Sequence, residues 1–225
     1  LKDEFNGEAT ASKLARVREQ MEKEEAQYHI ISTLDDIAWI LNVRGNDIPH
    51  VPVVLSFLVI GKENAMWFVE ENALSDAVKE MAAECGITIR PYEDVYAYAA
   101  TIPEHSSVLL DKRKVNYRIT NALSETVHIV SKANPSQLMK AIKNEIELEN
   151  TRKAHLLDGI AVTKFMYWLK KNVGKIPMDE VSVSDYLQSL REQMEGYRDI
   201  SFDTIAGYNA NAAMMHYKAE PNTAA

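Results

Sequence analysis

The chain has 225 residues, of which 46% are hydrophobic and 26% charged, and its formal net charge at pH 7 is −8. An acidic chain repels phosphate backbones, and the longest apolar run (51–61) is far shorter than the ~20 residues of a membrane span, so we expect no nucleic acid and no membrane as partners. The single cysteine, Cys85, excludes an internal disulfide and predicts a cytoplasmic location.

Up to residue 130, helical and β-type patterns alternate, which predicts an α/β domain with a mixed sheet. Two apolar runs flank Gly61 to Asn64 and predict a hairpin, and Gly86 is expected to stop a helix. Thr33 is expected to cap another helix, whose first turn contains Asp35 and Asp36. The predicted helices are 12–26, 33–41, 74–85 and 93–100, and the predicted strands are 28–32, 51–60, 65–69, 87–90, 107–111 and 127–130.

A turn-rich stretch at 131–135 marks the predicted domain boundary. It divides the chain into a linker helix region from a preceding domain (1–26), a middle domain (27–134) and a further, partial domain (135–225). Beyond this boundary the pattern predicts one long helix over 137–171, ended by Gly174 and Pro177, and a second helix over 184–195. The tail, 201–217, is predicted as strand, turn and strand.

Few motifs that carry chemistry are visible from spacing alone. The chain contains no Gly-rich phosphate loop, no Gly-x-Ser-x-Gly sequence and no Cys-x-x-Cys pair. No two of the six histidines lie three or four residues apart, so no helical histidine pair can hold a metal. Glu145, Glu147 and Glu149 are interpreted as the acidic start of a helix. Spacing therefore indicates an acidic cytosolic α/β protein in two parts.

Three longer segments carry a more specific pattern. Residues 34–48 read LDDIAWILNVRGNDI, 143–169 contain Lys-Asn-Glu, Arg-x-Ala-His-x-x-Asp and Phe-x-x-Trp-Leu, and 201–217 contain Ser-Phe-Asp-Thr-Ile and Asn-Ala-Ala-x-x-His-Tyr. In this order and spacing they resemble the three-domain Xaa-Pro aminopeptidases (aminopeptidase P) of the pita-bread metallopeptidase family. The 34–48 block is similar to the middle-domain signature of these enzymes, which prolidases and methionine aminopeptidases lack.

The resemblance implies a fold and an activity. The fold is a creatinase/prolidase N-terminal-like α/β domain with a mixed sheet, followed by the incomplete start of an α+β pita-bread catalytic domain. The activity is release of the amino-terminal residue from peptides with proline in second position, with two divalent metal ions, Mn²⁺ by preference, as cofactors of the full-length protein. Members of the family are commonly dimers, so the resemblance also implies a homodimer for the full-length protein.

The resemblance also assigns roles to residues. His216 matches the family's first catalytic histidine, which hydrogen-bonds the substrate or the tetrahedral intermediate and helps to move a proton. Arg44 and Asp47 are substrate-binding candidates, with a structural Arg–Asp pair that holds a turn as the alternative. The family's metal ligands follow later in its members, so we expect this chain alone to bind no catalytic metal and to cleave no peptide.

Other functions remain open from the sequence. A prolidase or another pita-bread hydrolase is the second enzymatic possibility, and the 34–48 block disfavours it. A metal-free pita-bread-like module that binds peptides or proteins is the alternative from a different class. The retained His216 argues against that module, because a binding domain does not need a catalytic histidine.

Overall fold

A six-stranded mixed sheet forms the centre of the first part of the protein. The computed structural model describes all 225 residues, which divide into two compact units, Leu1–Glu147 and Leu148–Ala225. The strands are β1 (Tyr28–Ile31), β2 (Ser56–Gly61), β3 (Ala65–Val69), β4 (Ile87–Arg90), β5 (Ser107–Leu110) and β6 (His128–Ser131). Their order in the sheet is β4-β3-β2-β1-β5-β6; β2 pairs antiparallel with β1 and β3, and the other neighbours are parallel.

Helices cover both faces of this sheet. Successive side chains of a strand point to opposite faces, so Leu58 and Ile60 of β2 belong to one hydrophobic cluster and Phe57 and Val59 to the other. The helices of the first unit are α1 (Asp3–Asn6), α2 (Thr10–Lys23), α3 (Leu34–Ile40), α4 (Asp76–Glu84), α5 (Asp94–Ala100), α6 (Tyr117–Ala122) and α7 (Pro135–Ala141), with a 3₁₀ turn at Glu71–Ala73. The first cluster includes residues of α2, α3 and α4, and the second includes residues of α5 and α6. The predicted mixed α/β sheet is confirmed.

Some local predictions are confirmed and others are corrected. Gly86 follows Cys85, the C-cap residue of α4, and adopts φ +67°, as expected for a residue that stops a helix. The strand predicted over 51–60 begins only at Ser56. The sequence reading missed α6, whose first turn is capped by Asn116 Oδ1 accepting from the Ile119 N–H at 3.1 Å. Thr33 precedes α3 but does not cap its backbone; its hydroxyl donates to Asp36 Oδ2 at 2.5 Å.

The long helix predicted over 137–171 is two helices, α7 and α8 (Glu145–Asn172). Asn144 Oδ1 accepts the backbone N–H of Glu147 at 2.9 Å, and Glu147 Oε2 accepts the backbone N–H of Asn144 at 3.0 Å. These two bonds form a capping box, which starts a new helix and so breaks the predicted one. Glu145 and Glu147 then lie in the first turn of α8, as predicted for this acidic cluster. The predicted boundary at residue 134 falls inside the first unit, because Lys140 of α7 forms ion pairs with Asp35 and Asp36 of α3.

The second unit comprises most of α8, a further helix α9 (Glu180–Glu192), a 3₁₀ turn at Asn209–Ala213 and connecting segments. Helix α9 begins before the predicted residue 184, because Asp179 and Ser182 form a capping box at its start. Within this unit the centroids of the Trp168 and Tyr186 rings lie 4.1 Å apart, and Arg191 Nε donates to Asp158 Oδ1 at 2.6 Å. None of the helices is both long enough and apolar enough to cross a membrane.

The prediction of two strands in the tail is wrong. Residues 201–217 contain no strand, and their only regular element is the 3₁₀ turn at Asn209–Ala213. A two-stranded hairpin is marginally stable by itself. Here the polar groups of the tail hydrogen-bond to Glu180 of α9 instead of pairing with each other along strands.

Candidate functional site

His216, the predicted catalytic residue, lies in a turn of the second unit. Its side chain is exposed and its backbone φ is +56°, a left-handed conformation in which a non-glycine residue costs roughly 1–2 kcal/mol. The preceding residue, Met215, is 90% exposed. Such a conformation persists only where neighbouring interactions fix the backbone, and here the next residue, Tyr217, supplies one.

The carboxylate of Glu180 collects hydrogen bonds from the segment around His216. Tyr208 donates its backbone N–H to Oε1 at 2.5 Å. Asn211 Nδ2 donates to Oε2 at 3.0 Å, and Tyr217 Oη donates to the same oxygen at 2.6 Å. The backbone N–H of Ala225 adds a fourth bond at 3.1 Å. A single carboxylate therefore joins the residues on both sides of His216.

The position of Glu180 in α9 suits it to remain an anion. It is the first residue of the helix, next to the capping residue Asp179, and the helix dipole stabilises negative charge there. Burial by itself raises the pKa of the Glu180 carboxyl, but the hydrogen bonds from Tyr217, Tyr208, Ala225 and Asn211 outweigh burial and lower the pKa to about 2. The same bond to Glu180 raises the pKa of the Tyr217 phenol, so the phenol stays protonated as the donor.

In the first unit, the signature helix α3 packs on a buried lysine. Lys13 of α2 is 1% exposed, and its ammonium donates to the Trp39 carbonyl at 3.0 Å and to Asn42 Oδ1 at 2.7 Å. The ammonium also lies 4.3 Å from the centre of the Trp39 ring, within the range of a cation–π interaction. Burial is the main reason why the pKa of Lys13 falls to about 8, although Glu147 and Glu8 raise it.

Arg44 and Asp47, the predicted substrate-binding candidates, follow α3 in an exposed turn. Arg44 Nη1 donates to the carbonyls of Ala38 and Val43 at 3.0 and 2.8 Å. Asp47 Oδ2 accepts the backbone N–H of Leu55 at 2.7 Å. Each of the two side chains therefore holds the turn through its own bonds to the backbone.

A buried polar network lies where α3 meets α7. Asp36 accepts from the Thr33 hydroxyl at 2.5 Å, from Asn134 Nδ2 at 3.2 Å and from Lys140 Nζ at 3.0 Å.

His29 of β1 is fully buried, and its Nδ1 lies 2.9 Å from the Leu109 carbonyl. Burial lowers the pKa of His29 to about 4, so the imidazole is neutral near pH 7.

No group of three or more His, Cys, Asp or Glu side chains in the 225 residues is arranged to hold a metal ion. The residues present therefore do not fit a metal centre.

The sequence analysis did not identify Glu180 and Lys13, whose side chains organise the local structure. For Lys13 a signal existed, because positions 13, 17 and 21 lie on one helical face whose other members, Val17 and Met21, are buried. For Glu180 no such signal existed, because the helix was predicted to begin only at residue 184 and therefore did not include it.

Each of the two units matches a known protein family. Residues 1–147 match the family model described as creatinase/prolidase N-terminal domain, and residues 149–224 match that of metallopeptidase family M24. The chain is 35% identical to a probable Xaa-Pro aminopeptidase P of Neurospora crassa, over 96% of this chain and 33% of that protein. It is also 35% identical to Xaa-Pro aminopeptidase 1 of Dictyostelium discoideum, over 100% of this chain and 36% of that protein.

Among solved structures, an X-prolyl aminopeptidase from Caenorhabditis elegans, described as a cytosolic enzyme with a di-nuclear active site, matches with a TM-score of 0.83 and 27% identity. The match covers 90% of this chain and 34% of that one. This chain thus spans about a third of the length of the relatives it matches. The resemblance carried by the three sequence segments is confirmed, and so is the predicted fold class.

Proposed function

The chain belongs to the creatinase/prolidase N-terminal domain family through residues 1–147, and from this premise we propose that its complete gene product is a metal-dependent aminopeptidase. The proposed reaction releases the amino-terminal residue from peptides with proline in second position. One observation carries the proposal: both Xaa-Pro aminopeptidase relatives align with at least 96% of this chain at 35% identity. The bond before proline is a tertiary amide without an N–H, which calls for a dedicated peptidase.

The proposed cofactors of the complete gene product are two divalent metal ions, with Mn²⁺ as the preferred metal. The match of residues 149–224 to metallopeptidase family M24 and the di-nuclear site described for the Caenorhabditis elegans enzyme support this. When bound, such ions supply a nucleophilic hydroxide and polarise the scissile carbonyl. We propose that the 225 residues alone neither hold these ions nor cleave peptides. A cytoplasmic location and a homodimer belong to the same proposal.

His216 is the proposed catalytic residue of this chain. Its exposed imidazole can donate a hydrogen bond to a substrate carbonyl and can serve as a general acid or base. Arg44 and Asp47 remain proposed substrate-binding residues. Their exposure supports that role, whereas their bonds to the backbone support the alternative in which they stabilise the turn.

The test uses the complete gene product loaded with Mn²⁺. We expect cleavage of Arg-Pro-Pro and none of Arg-Ala-Pro under the same conditions. His216→Asn should lower kcat/KM by about 100-fold or more, the usual contribution of a positioned acid–base group. The matched control is His155→Asn, because His155 is also an exposed histidine but lies on α8, outside the tail.

Three outcomes would count against the proposal. If the loaded protein leaves Arg-Pro-Pro intact, the aminopeptidase assignment is wrong. If it binds the peptide without cleaving it, the binding-module alternative takes its place. If His216→Asn is as active as His155→Asn, the peptidase assignment stands but the role of His216 does not.

A further inference from the structure

Within these 225 residues, the segment that carries His216 is not part of a β-sheet. Residues 201–217 form no strand, and both His216 and its neighbour Met215 are exposed. The left-handed backbone at His216 must therefore be fixed by contacts on either side of it. Those contacts converge on one side chain, the buried carboxylate of Glu180.

The contacts reach the chain both before and after the histidine. Tyr208 and Asn211 hold the incoming side, through a backbone N–H and a side-chain amide. Tyr217, the residue directly after His216, holds the outgoing side through its phenol at 2.6 Å. Asn211 also donates to Tyr217 Oη at 3.0 Å, which joins the two sides to each other.

The chemistry of the site calls for an anion with two acceptor oxygens. Both oxygens of Glu180 are used, and every partner in the tail presents an N–H or O–H to them. Glutamine has the same shape, but it would replace one acceptor by an NH₂ donor that faces other donors. An unsatisfied buried donor is costly, so the local structure should loosen when the charge is removed.

We propose that Glu180 is a positioning residue that holds the Tyr208–Tyr217 segment and so aims the His216 imidazole at the substrate. The proposal rests on the proposed function for its catalytic part. Its structural part, the order of the segment, can be measured without any activity.

The structural part is tested by hydrogen–deuterium exchange and mass spectrometry on the complete gene product. Glu180→Gln should exchange faster than wild type in peptides that cover residues 208–217 and at the wild-type rate in peptides from the first unit. Glu192→Gln is the matched control, because Glu192 lies on the same helix and is exposed. Its carboxylate accepts a hydrogen bond from Gln188 of that helix and not from the tail. Unchanged exchange over 208–217 in Glu180→Gln would overturn the proposal.

The catalytic part is tested with the Mn²⁺-loaded protein and Arg-Pro-Pro. Glu180→Gln should lower kcat by about 10- to 100-fold with little change in KM, as is usual when the support of a reacting group is lost. In a His216→Asn background the same substitution should have almost no further effect, because Glu180 acts through His216. An equal loss in both backgrounds would show general damage to the fold and would overturn the proposal.

Tyr217→Phe covers the case in which Glu180→Gln fails to fold. It removes one donor to Glu180 and leaves the carboxylate and its other bonds in place. We expect a smaller loss of kcat, again absent in the His216→Asn background, and wild-type activity would contradict the proposal. If the wild type does not cleave Arg-Pro-Pro at all, the aminopeptidase assignment fails, and the exchange experiment still decides whether Glu180 orders the segment.

Discussion

Two adjacent aspartates of α3 offer a direct comparison of a buried and an exposed ion pair. Asp35 and Asp36 both pair with Lys140 of α7, but the Asp35 side chain is 66% exposed and the Asp36 side chain only 4%. Asp36 additionally accepts from Thr33 and Asn134. We predict that Asp36→Ala destabilises the first unit far more than Asp35→Ala does.

The magnitude follows from what each substitution leaves behind. Asp36→Ala removes the acceptor of three hydrogen bonds, which come from the half-buried Thr33 hydroxyl, the buried Asn134 amide and the Lys140 ammonium. Breaking a buried pair from one side costs about 3–5 kcal/mol. Lys140 is 26% exposed and can recover water, which places the estimate near the lower end, about 3 kcal/mol. Asp35→Ala breaks only a surface pair, which contributes about 0–1 kcal/mol.

Urea denaturation of wild type and both variants measures these values. Trp39, on the same helix as the two aspartates, and Trp67 are both buried in the first unit, so two of the three tryptophans report its unfolding by fluorescence. Equal free energies of unfolding for the two variants, or a loss below about 1 kcal/mol for Asp36→Ala, would refute the argument that burial makes Asp36 the dominant partner.

Two buried bases should give pH dependence of the same sign, but in different pH ranges, in the same denaturation assay. Burial lowers the pKa of Lys13 from 10.5 to about 8, so between these pH values the unfolded state binds a proton that the folded state has released. Raising the pH from 8 to 10.5 should therefore stabilise wild type relative to Lys13→Met by roughly 3 kcal/mol. A difference in the free energy of unfolding that stays constant over this range would contradict the prediction. Burial lowers the pKa of His29 from 6.5 to about 4, so the stability that neutral His29 contributes above pH 6.5 is lost as the pH falls to 4. His29→Gln should lose roughly 3 kcal/mol less over that range, and parallel curves for the two proteins would show that His29 does not titrate as described.

The alternation of helices and strands in the first unit could be predicted from the sequence, because it depends on residues that are neighbours along the chain. Gly61 to Asn64 specified the hairpin, and Gly86 specified the end of α4. Helix α6 was missed because six residues contain less than two turns of periodicity. The break between α7 and α8 was also local: Asn144 and Glu147 have capping-box spacing, but the apolar periodicity on either side suggested a continuous helix.

The candidate site was predicted only in part, because its supporting contacts join distant positions. The tail histidine was found from its immediate neighbours in the sequence. Nothing local indicates that Glu180 reaches Tyr217, which lies 37 residues further along the chain. The pairing of Lys13 with Asn42 spans 29 residues and is equally invisible to a pattern with a period of 3.6. Such contacts depend on the tertiary fold and not on local propensity.

The strand order of the sheet has a consequence for how the chain folds during synthesis. Strand β1 lies inside the sheet, between β2 and β5, and its contact with β5 joins residues 80 positions apart, as between His29 and Leu109. The β2–β3 hairpin can form as soon as Val69 has been made, whereas the other edge of β1 stays open until β5 follows. Non-local pairing of this kind slows folding. The nascent chain therefore exposes an unpaired apolar strand edge, which is the point where a chaperone is most needed.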